Sequence, residues 1–171
     1  CISQDGVLGL FQGAAETGPR ALGHRSILAN PRNPRSLETI NRLVKFREPF
    51  RPLAPMLTLE AAQRWFELED GASDDNYNAY NYMVLTVRPR ADTARLIPAV
   101  VHRDNTSRIQ IVRAETDAFT HAYLQAMGRY CGVEASVNTS LNVGGPIVQT
   151  PLQALEALRR SKAMDGVLML G

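Results

Sequence analysis

The chain has 171 residues, of which 44% are hydrophobic and 21% charged, and its net charge is +2. These values are typical of one soluble globular domain and exclude a polycation that coats nucleic acid. No apolar run approaches the ~20 residues of a membrane span, no signal peptide is recognisable, and two cysteines without disulfide or metal spacing indicate a reduced, cytoplasmic protein.

The first predicted element is a buried strand over residues 7–11, a short apolar run bounded by glycines. It follows closely on Cys1, which is not a Met. We therefore interpret residues 1–171 as one domain of a longer chain.

Two helices are predicted next, from apolar positions that recur at helical spacing. The first covers residues 36–46, with Ser36 as its N-cap. The second begins at Thr58 or Glu60 and ends at Phe66, with Ala62, Trp65 and Phe66 facing inward.

The middle of the chain has strand and turn composition. An acidic, Asn-rich loop over residues 69–78 precedes a strand over residues 82–87. Two strand-like segments, residues 98–102 and 107–112, then flank a turn over residues 103–106.

The last third has the clearest helix signals. Thr116 or Asp117 caps a helix whose apolar face is formed by Phe119, Tyr123, Met127 and Tyr130. A strand over residues 134–138 follows. Thr150, with Gln153 at capping-box spacing, begins a helix lined by Leu152, Leu155 and Leu158. Residues 166–170 form a final buried strand, and the whole pattern is mixed α/β.

Positive charge is concentrated between residues 18 and 55. The acids of this stretch are Glu38 and Glu48, whereas its eight cations are Arg20, Arg25, Arg32, Arg35, Arg42, Lys45, Arg47 and Arg51. Six prolines restrict the backbone, and the planar fork of arginine matches phosphate or carboxylate. A solvated basic surface is the general alternative, but the glycines and prolines favour a site for an external anion.

Two groups of cations in this stretch are candidate ligands. Between residues 18 and 26, glycines allow close approach to the backbone, and Arg20 and Arg25 can clamp an anion. Lys45, Arg47 and Arg51 lie on a proline-flanked turn, where they can converge on one phosphate through charge-assisted hydrogen bonds. The alternative is that each cation pairs with an acid of the fold.

Two further groups of polar residues follow predicted strands or turns. Alternation places Thr106 and Arg108 on one face of their strand, opposite Ile109. Asn138, Ser140 and Asn142 lie at the carboxyl end of a strand, where open α/β sheets bind ligands. The structural alternatives are that Arg108 is simply exposed on the surface and that the Asn and Ser residues simply form turns.

The sequence contains neither a Walker loop nor the dinucleotide pattern G-x-G-x-x-G. No Ser/His/Asp set or carboxylate pair stands out. A site of cations with hydroxyl and amide donors can bind and polarise phosphate esters and anhydrides.

Four motifs resemble the C-terminal domain of the NodU/CmcH/TobZ carbamoyltransferases. They are ETGPRALGHRSILA (residues 16–29), KFREPFRP (45–52), HRDNTSRIQ (102–110) and NTSLN (138–142). They occur in the family's order, and the match covers essentially the whole chain.

The resemblance implies an α/β, YrdC-like fold: a twisted mixed sheet with flanking helices and a concave basic pocket. It implies a domain that binds carbamoyl phosphate and ATP, with Mg, and forms carbamoyladenylate. A metal-dependent, actin-like N-terminal domain of the same chain would then transfer the carbamoyl group to a hydroxyl of an antibiotic, a sugar or a similar secondary metabolite. No metal site is expected on residues 1–171.

The resemblance also implies roles for individual residues. Lys45 and Arg51 would be catalytic. The residues expected to bind substrate or nucleotide, from the motifs and the groups above, are Arg20, Arg25, Arg47, Thr106, Arg108, Asn138, Ser140 and Asn142. Lys45 with Arg47, and Ser140 with Asn142, match the Lys-x-Arg and Ser-x-Asn signatures of YrdC proteins.

Two alternatives belong to other functional classes. The first is a non-catalytic YrdC-like module that binds RNA or nucleotide. The modest net charge weighs against RNA, as does a basic stretch with only Phe46 and Phe50 as aromatic residues. The second is a degenerate domain kept as a structural partner, but no cation of the expected pocket is missing.

Overall fold

Six strands form one mixed sheet in the computed structural model of the chain, which describes residues 1–74 and 78–171. They are β1 (Leu8–Gln12), β2 (Arg25–Ala29), β3 (Ala54–Leu57), β4 (Gln110–Ile111), β5 (Ala135–Ser140) and β6 (Gly166–Leu170). Their order across the sheet is β4-β3-β5-β2-β1-β6. The pairs β1–β6 and β3–β4 are parallel, and the other three pairs are antiparallel. The predicted mixed α/β class is confirmed.

Helices flank this sheet. The α-helices are α1 (Arg35–Glu38), α2 (Leu59–Trp65), α3 (Thr93–Leu96), α4 (Ala118–Cys131) and α5 (Pro151–Arg160). A π-helix, Thr39–Val44, continues α1, and short 3-10 helices cover Ile2–Gln4, Ala79–Tyr82 and Pro98–Val100. No helix in the described ranges is both long and apolar enough to cross a membrane.

The core is built on the central strands. All five residues of β2 and the first four of β5 are buried. Side chains alternate between the two faces of a strand, so Ser136, Asn138 and Ser140 of β5 share one face. Helix α4 covers that face, since the Tyr123 hydroxyl donates to Ser136 Oγ at 2.8 Å.

Strand directions bring several strand termini together at one end of the sheet. Ser140, the last residue of β5, pairs with Ser26 in β2, and Asn138 pairs with Ala54, the first residue of β3. Strand β4 is parallel to β3 and begins at Gln110. The amino ends of β2, β3 and β4 therefore adjoin the carboxyl end of β5. We call this place the β5 end of the sheet.

Three of the four predicted helix starts are confirmed. Thr58 Oγ1 accepts from the amide of Ala61 and begins α2, and Asp117 caps α4. Thr150 and Gln153 form the predicted capping box of α5. The strands predicted near residues 7–11, 134–138 and 166–170 are also present as β1, β5 and β6.

Some predicted elements are wrong. Ser36 is not an N-cap: it lies inside α1, and its hydroxyl donates to the carbonyl of Asn30 at 2.8 Å. Residues 82–87 do not form a strand, because Val87 alone pairs, with Ser107. A 3-10 helix replaces the strand-like segment at residues 98–102, where Pro98 suits a first helical turn. The predicted loop at residues 69–78 includes 75–77, which lie outside the described residues.

The inward faces of two helices also differ from prediction. In α4, Phe119 and Tyr130 are exposed, whereas Thr120 and Leu124 are buried. In α5, the two alanines Ala154 and Ala157 face inward, and the leucines at 152 and 155 are exposed. Strand β6 lies at the edge of the sheet and is only partly buried, so its predicted full burial is wrong.

Candidate functional site

Lys45 lies at the β5 end of the sheet and joins two of the sequence motifs. Its Nζ donates to Ser140 Oγ at 3.0 Å and to Asn142 Oδ1 at 2.6 Å. Ser140 Oγ also donates to Asn142 Oδ1 at 2.8 Å. One hydrogen-bonded group is therefore formed by Lys45, from one motif, and by Ser140 and Asn142, from another. We call it the lysine triad.

The ammonium group of Lys45 is held in an unfavourable electrostatic environment. The side chain is 7% exposed, and no carboxylate among the described residues forms an ion pair with it. Burial, and then the charges of Arg47 and Arg51, lower the Lys45 pKa from 10.5 to about 7. An anion bound here would supply the missing negative charge and raise that pKa.

Arg47 and Arg51 extend the positive charge from Lys45 toward solvent. Arg47 is half-buried, and its Nε donates to Asn41 Oδ1 at 2.7 Å. Burial first, and then Arg51, lower the pKa of Arg47. Arg51 is exposed and lies 4.0 Å from the carboxylate of Glu48, a surface pair that contributes little in water. Arg51 is therefore available to an incoming anion.

A second pair of cations is formed by Arg20 and Arg108. Burial, and then the nearby charge of Arg20, lower the pKa of Arg108. The buried Nε of Arg108 has no hydrogen-bond partner in the described structure. Arg20 is exposed, and its guanidinium donates to the carbonyl of Pro19. Arg108 lies two residues before β4, and so this pair also lies toward the β5 end.

Thr106 and Asn138 organise the surrounding segments. The Thr106 hydroxyl donates to Asp104 Oδ1 at 2.7 Å, which closes the turn that precedes Arg108. Asn138 is 1% exposed, and its amide donates to the carbonyl of Ala21 and to Gln110 Oε1. Asn138 thereby attaches the 18–26 segment to the sheet, while its Oδ1 has no partner.

Arg25 is buried, and its guanidinium is largely engaged within the fold. It is 3% exposed, and its Nη atoms donate to the carbonyls of Gln12, Gly13 and His24. The same group stacks 3.7 Å above the ring of Phe11, whereas its buried Nε has no partner in the described structure. These contacts favour a structural role for Arg25, and its part in anion binding stays a prediction.

Asn41 and Gln110 are polar residues of the site that sequence reasoning did not identify. Both are buried, and both bind loop carbonyls near the cations. An amide within a predicted helix or strand has no local signal for such a role, because its partners are distant in sequence or depend on the loop conformation.

An apolar groove of about 720 Å³ lies beside the 49–53 loop. Its lining includes Leu37, Phe50, Leu53 and Val101, together with Arg42 and Arg103, but none of the six cations predicted to contact the ligand. Phosphate recognition requires converging donors, and these lie at the β5 end instead. In the described ranges, no group of three or more His, Cys, Asp or Glu residues could hold a metal ion.

Comparison with known proteins gives matches over the full chain. The sequence profile of the family described as "Carbamoyltransferase C-terminus" matches residues 1–171. The nodulation protein NolO of Bradyrhizobium diazoefficiens is 35% identical over 169 residues, which are 98% of this chain and 30% of that protein. Nodulation protein U of Rhizobium tropici is 37% identical over 133 residues, which are 78% of this chain and 22% of that protein.

A solved structure shares the fold. Full-length HypF, in a phosphate- and nucleotide-bound form, superposes with a TM-score of 0.66 at 16% identity, covering 99% of this chain and 24% of HypF. The chain thus spans less than a third of each of these proteins.

Proposed function

The chain belongs to the carbamoyltransferase C-terminus family, and from this we propose that it is the domain of an O-carbamoyltransferase that binds carbamoyl phosphate and ATP. The observation that carries the proposal is the lysine triad, in which a buried lysine without an acidic partner lies beside Arg47 and Arg51. Such a group of cations matches the negative charge of phosphates.

The proposed reaction forms carbamoyladenylate in two steps. Water first cleaves carbamoyl phosphate to carbamate and phosphate, and a carbamate oxygen then attacks the α-phosphorus of ATP and displaces pyrophosphate. Charge develops on phosphate oxygens in this step, and fixed donors aimed at those oxygens stabilise it. Lys45 and Arg51 would contact the reacting phosphates, and Arg47, Arg20 and Arg108 would neutralise the remaining charge. Mg²⁺ would enter with ATP, whose phosphates are its usual ligands.

Ser140 and Asn142 would orient the Lys45 amine in this scheme. In the free protein both accept from its Nζ. When a phosphate approaches, Lys45 takes up a proton, because the added negative charge favours the ammonium form. The third donor of the ammonium group is then available to the ligand.

Transfer to the acceptor would occur elsewhere in the longer protein. The β5 end offers cations and donors, but a hydroxyl acceptor also needs a general base within hydrogen-bond reach. We assign that step to an actin-like N-terminal domain. The acceptor would be an antibiotic, a sugar or a similar secondary metabolite.

Calorimetry with Arg51→Met and Arg42→Met tests the binding site. Both are exposed arginines next to a glutamate, but Arg42 lies in the π-helix and pairs with Glu38 at 3.3 Å. Loss of one charge-assisted bond costs about 1.5–3 kcal/mol, so Arg51→Met should weaken carbamoyl phosphate or ATP binding ten- to a hundred-fold. Arg42→Met should bind as wild type does.

Equal affinities for wild type and Arg51→Met would refute the proposed site. Tight RNA binding that falls log-linearly with salt, without ATP binding, would instead favour the non-catalytic module, because RNA contacts release many counterions.

A further inference from the structure

Asn41 is buried beneath the loop that carries the three cations of the proposed site. It lies within the π-helix and has no exposed surface. Its side-chain amide donates to the carbonyls of Pro49 and Arg51, at 3.1 and 2.9 Å. Its Oδ1 accepts from Arg47 Nε at 2.7 Å.

The backbone of Asn41 binds the same loop. Its carbonyl accepts from the amide of Arg47 at 2.9 Å. This bond spans six residues, and the preceding one, from the Lys45 amide to the carbonyl of Ile40 at 2.8 Å, spans five. One residue thus provides four hydrogen bonds to residues 47–51.

This arrangement explains why Lys45 and Arg47 point in different directions. The wide π-helical turn ends at Val44, and Phe46 then adopts a left-handed conformation with φ of 51°. Phenylalanine rarely adopts this conformation, which is strained and requires support from its surroundings. Lys45 then reaches the strand β5, whereas Arg47 folds back onto Asn41.

Burial makes the side chain of Asn41 a strict requirement. The hydrogen bonds that the fully buried Asn41 makes to the loop are part-buried, so a donor or acceptor that loses its partner there is only incompletely hydrated. Any residue without both a donor and an acceptor at position 41 would leave the Pro49 and Arg51 carbonyls, or Arg47 Nε, without this partner. The loop would then relax, and the cations would separate.

We propose that Asn41 is the positioning residue of the anion site, which holds Lys45, Arg47 and Arg51 at the separation that one phosphate group requires. Asn41 itself would not touch the ligand, because its polar groups are directed at the loop. The inference rests on the proposed function only in assigning a phosphate ligand to these cations.

Two substitutions test this role. Asn41→Leu removes all side-chain hydrogen bonds at similar volume, and Asn41→Asp keeps the acceptor for Arg47 while it loses the two donor contacts. A matched control is Asn78→Leu. Asn78 is buried and likewise donates to two carbonyls, of Gly71 and Asp74, in a loop that contains no proposed site residue.

The first readout is independent of the ligand. The chain has only two lysines, Lys45 and Lys162. Biosynthetic ¹³C-lysine labelling therefore gives two Cε signals, with Lys162 as an internal reference, and their pH titration yields the Lys45 pKa. Both Asn41 variants should raise this pKa, Asn41→Leu by moving the arginines away and Asn41→Asp by adding a carboxylate. Asn78→Leu should leave it unchanged.

The second readout is the affinity for carbamoyl phosphate and for inorganic pyrophosphate, measured by calorimetry. Asn41→Leu should lose tenfold or more in affinity for both ligands. Asn78→Leu should lose less than twofold in affinity, even if its thermal stability falls. If Asn41→Leu does not fold, Asn41→Ala, which also removes these side-chain hydrogen bonds and adds no charge, provides both readouts.

The outcomes separate the two proposals. An unchanged Lys45 pKa in the Asn41 variants, or an altered pKa with unchanged affinity, would overturn the role of Asn41. A raised pKa in the variants together with no binding of either probe to wild type would support the positioning role and refute the proposed function.

Discussion

Replacing Lys45 with methionine should stabilise the unliganded protein at neutral pH. Methionine fills a similar volume and carries no charge, so it removes the cost of keeping an ammonium group in a buried position next to Arg47 and Arg51. Ser140 and Asn142 still hydrogen bond to each other in the variant. The gain in stability would come with the loss of anion binding.

The magnitude follows from the pKa. A lysine pKa lowered from 10.5 to about 7 corresponds to about 5 kcal/mol that opposes folding while Lys45 is charged. At pH 7 about 4 kcal/mol of this cost is present, and the two hydrogen bonds lost in Lys45→Met offset about 1–1.5 kcal/mol each. The variant should therefore be more stable at pH 7 by about 1–2 kcal/mol.

The sign of the pH dependence is fixed by proton linkage. Between about pH 7 and pH 10.5 the unfolded chain binds the Lys45 proton and the folded chain does not, so the stability of wild type rises with pH over this range. Below pH 7 both states are protonated, and the full cost is present. From pH 7 to pH 9, wild type should gain about 2 kcal/mol relative to Lys45→Met, which removes the advantage of the variant.

Urea unfolding of wild type and Lys45→Met at pH 6, 7, 8 and 9 measures this difference. Lys162→Met is the matched control, because Lys162 is exposed and its replacement should change stability by less than about 0.5 kcal/mol at every pH. The reasoning fails if Lys45→Met is less stable than wild type at pH 7 and the gap stays constant up to pH 9.

Two further changes separate folding from ligand binding. Arg25→Gln removes a buried guanidinium that binds three carbonyls and stacks on Phe11. Urea unfolding should show that the variant is less stable than wild type by about 3 kcal/mol or more. A tenfold loss of carbamoyl phosphate affinity in the folded variant would contradict the structural role of Arg25. Thr150→Ala breaks the capping box of α5 and should lower the free energy of unfolding by about 1 kcal/mol. A melting temperature equal to that of wild type would show that the cap does not stabilise the fold.

Helix starts were predictable because their chemistry is local. The caps Thr58, Asp117 and Thr150 each accept from an amide three residues ahead. No other part of the chain needs to be known for that interaction. The strand β1 was predictable for a related reason, since a short apolar run bounded by glycines is consistent with a buried strand and is too short for a typical helix.

The inward faces of α4 and α5 were not predictable, because they depend on what each helix packs against. Thr120 faces inward in α4 because its hydroxyl accepts from Gln12 Nε2 at 3.0 Å, a partner 108 residues away. Helix α5 contacts β1 and β6, and it turns its small alanines inward, leaving larger leucines in solvent. A count of apolar positions at helical spacing favours the larger side chains. It correctly placed Tyr123 and Met127 of α4 against the core but also placed Phe119, Tyr130, Leu152 and Leu155 there, which are exposed.

The π-helix was also beyond sequence reasoning. Residues 39–44 have an ordinary helical pattern, and the wider turn depends on how Asn41 binds residues 47–51. Such contacts form only when the loop has folded. The prediction of one continuous helix to residue 46 therefore missed the feature that directs Lys45 toward β5.

The cations of residues 18–55 show why charge density alone does not define a site. Arg25 and Lys45 are both buried, and both lie in motifs that predicted anion binding. Arg25 already uses three of its five donors on backbone carbonyls and stacks on an aromatic ring, so most of its capacity is engaged within the fold. Lys45 has only neutral acceptors and two like charges nearby. An anion would relieve that electrostatic cost, and we therefore infer binding at Lys45 and not at Arg25.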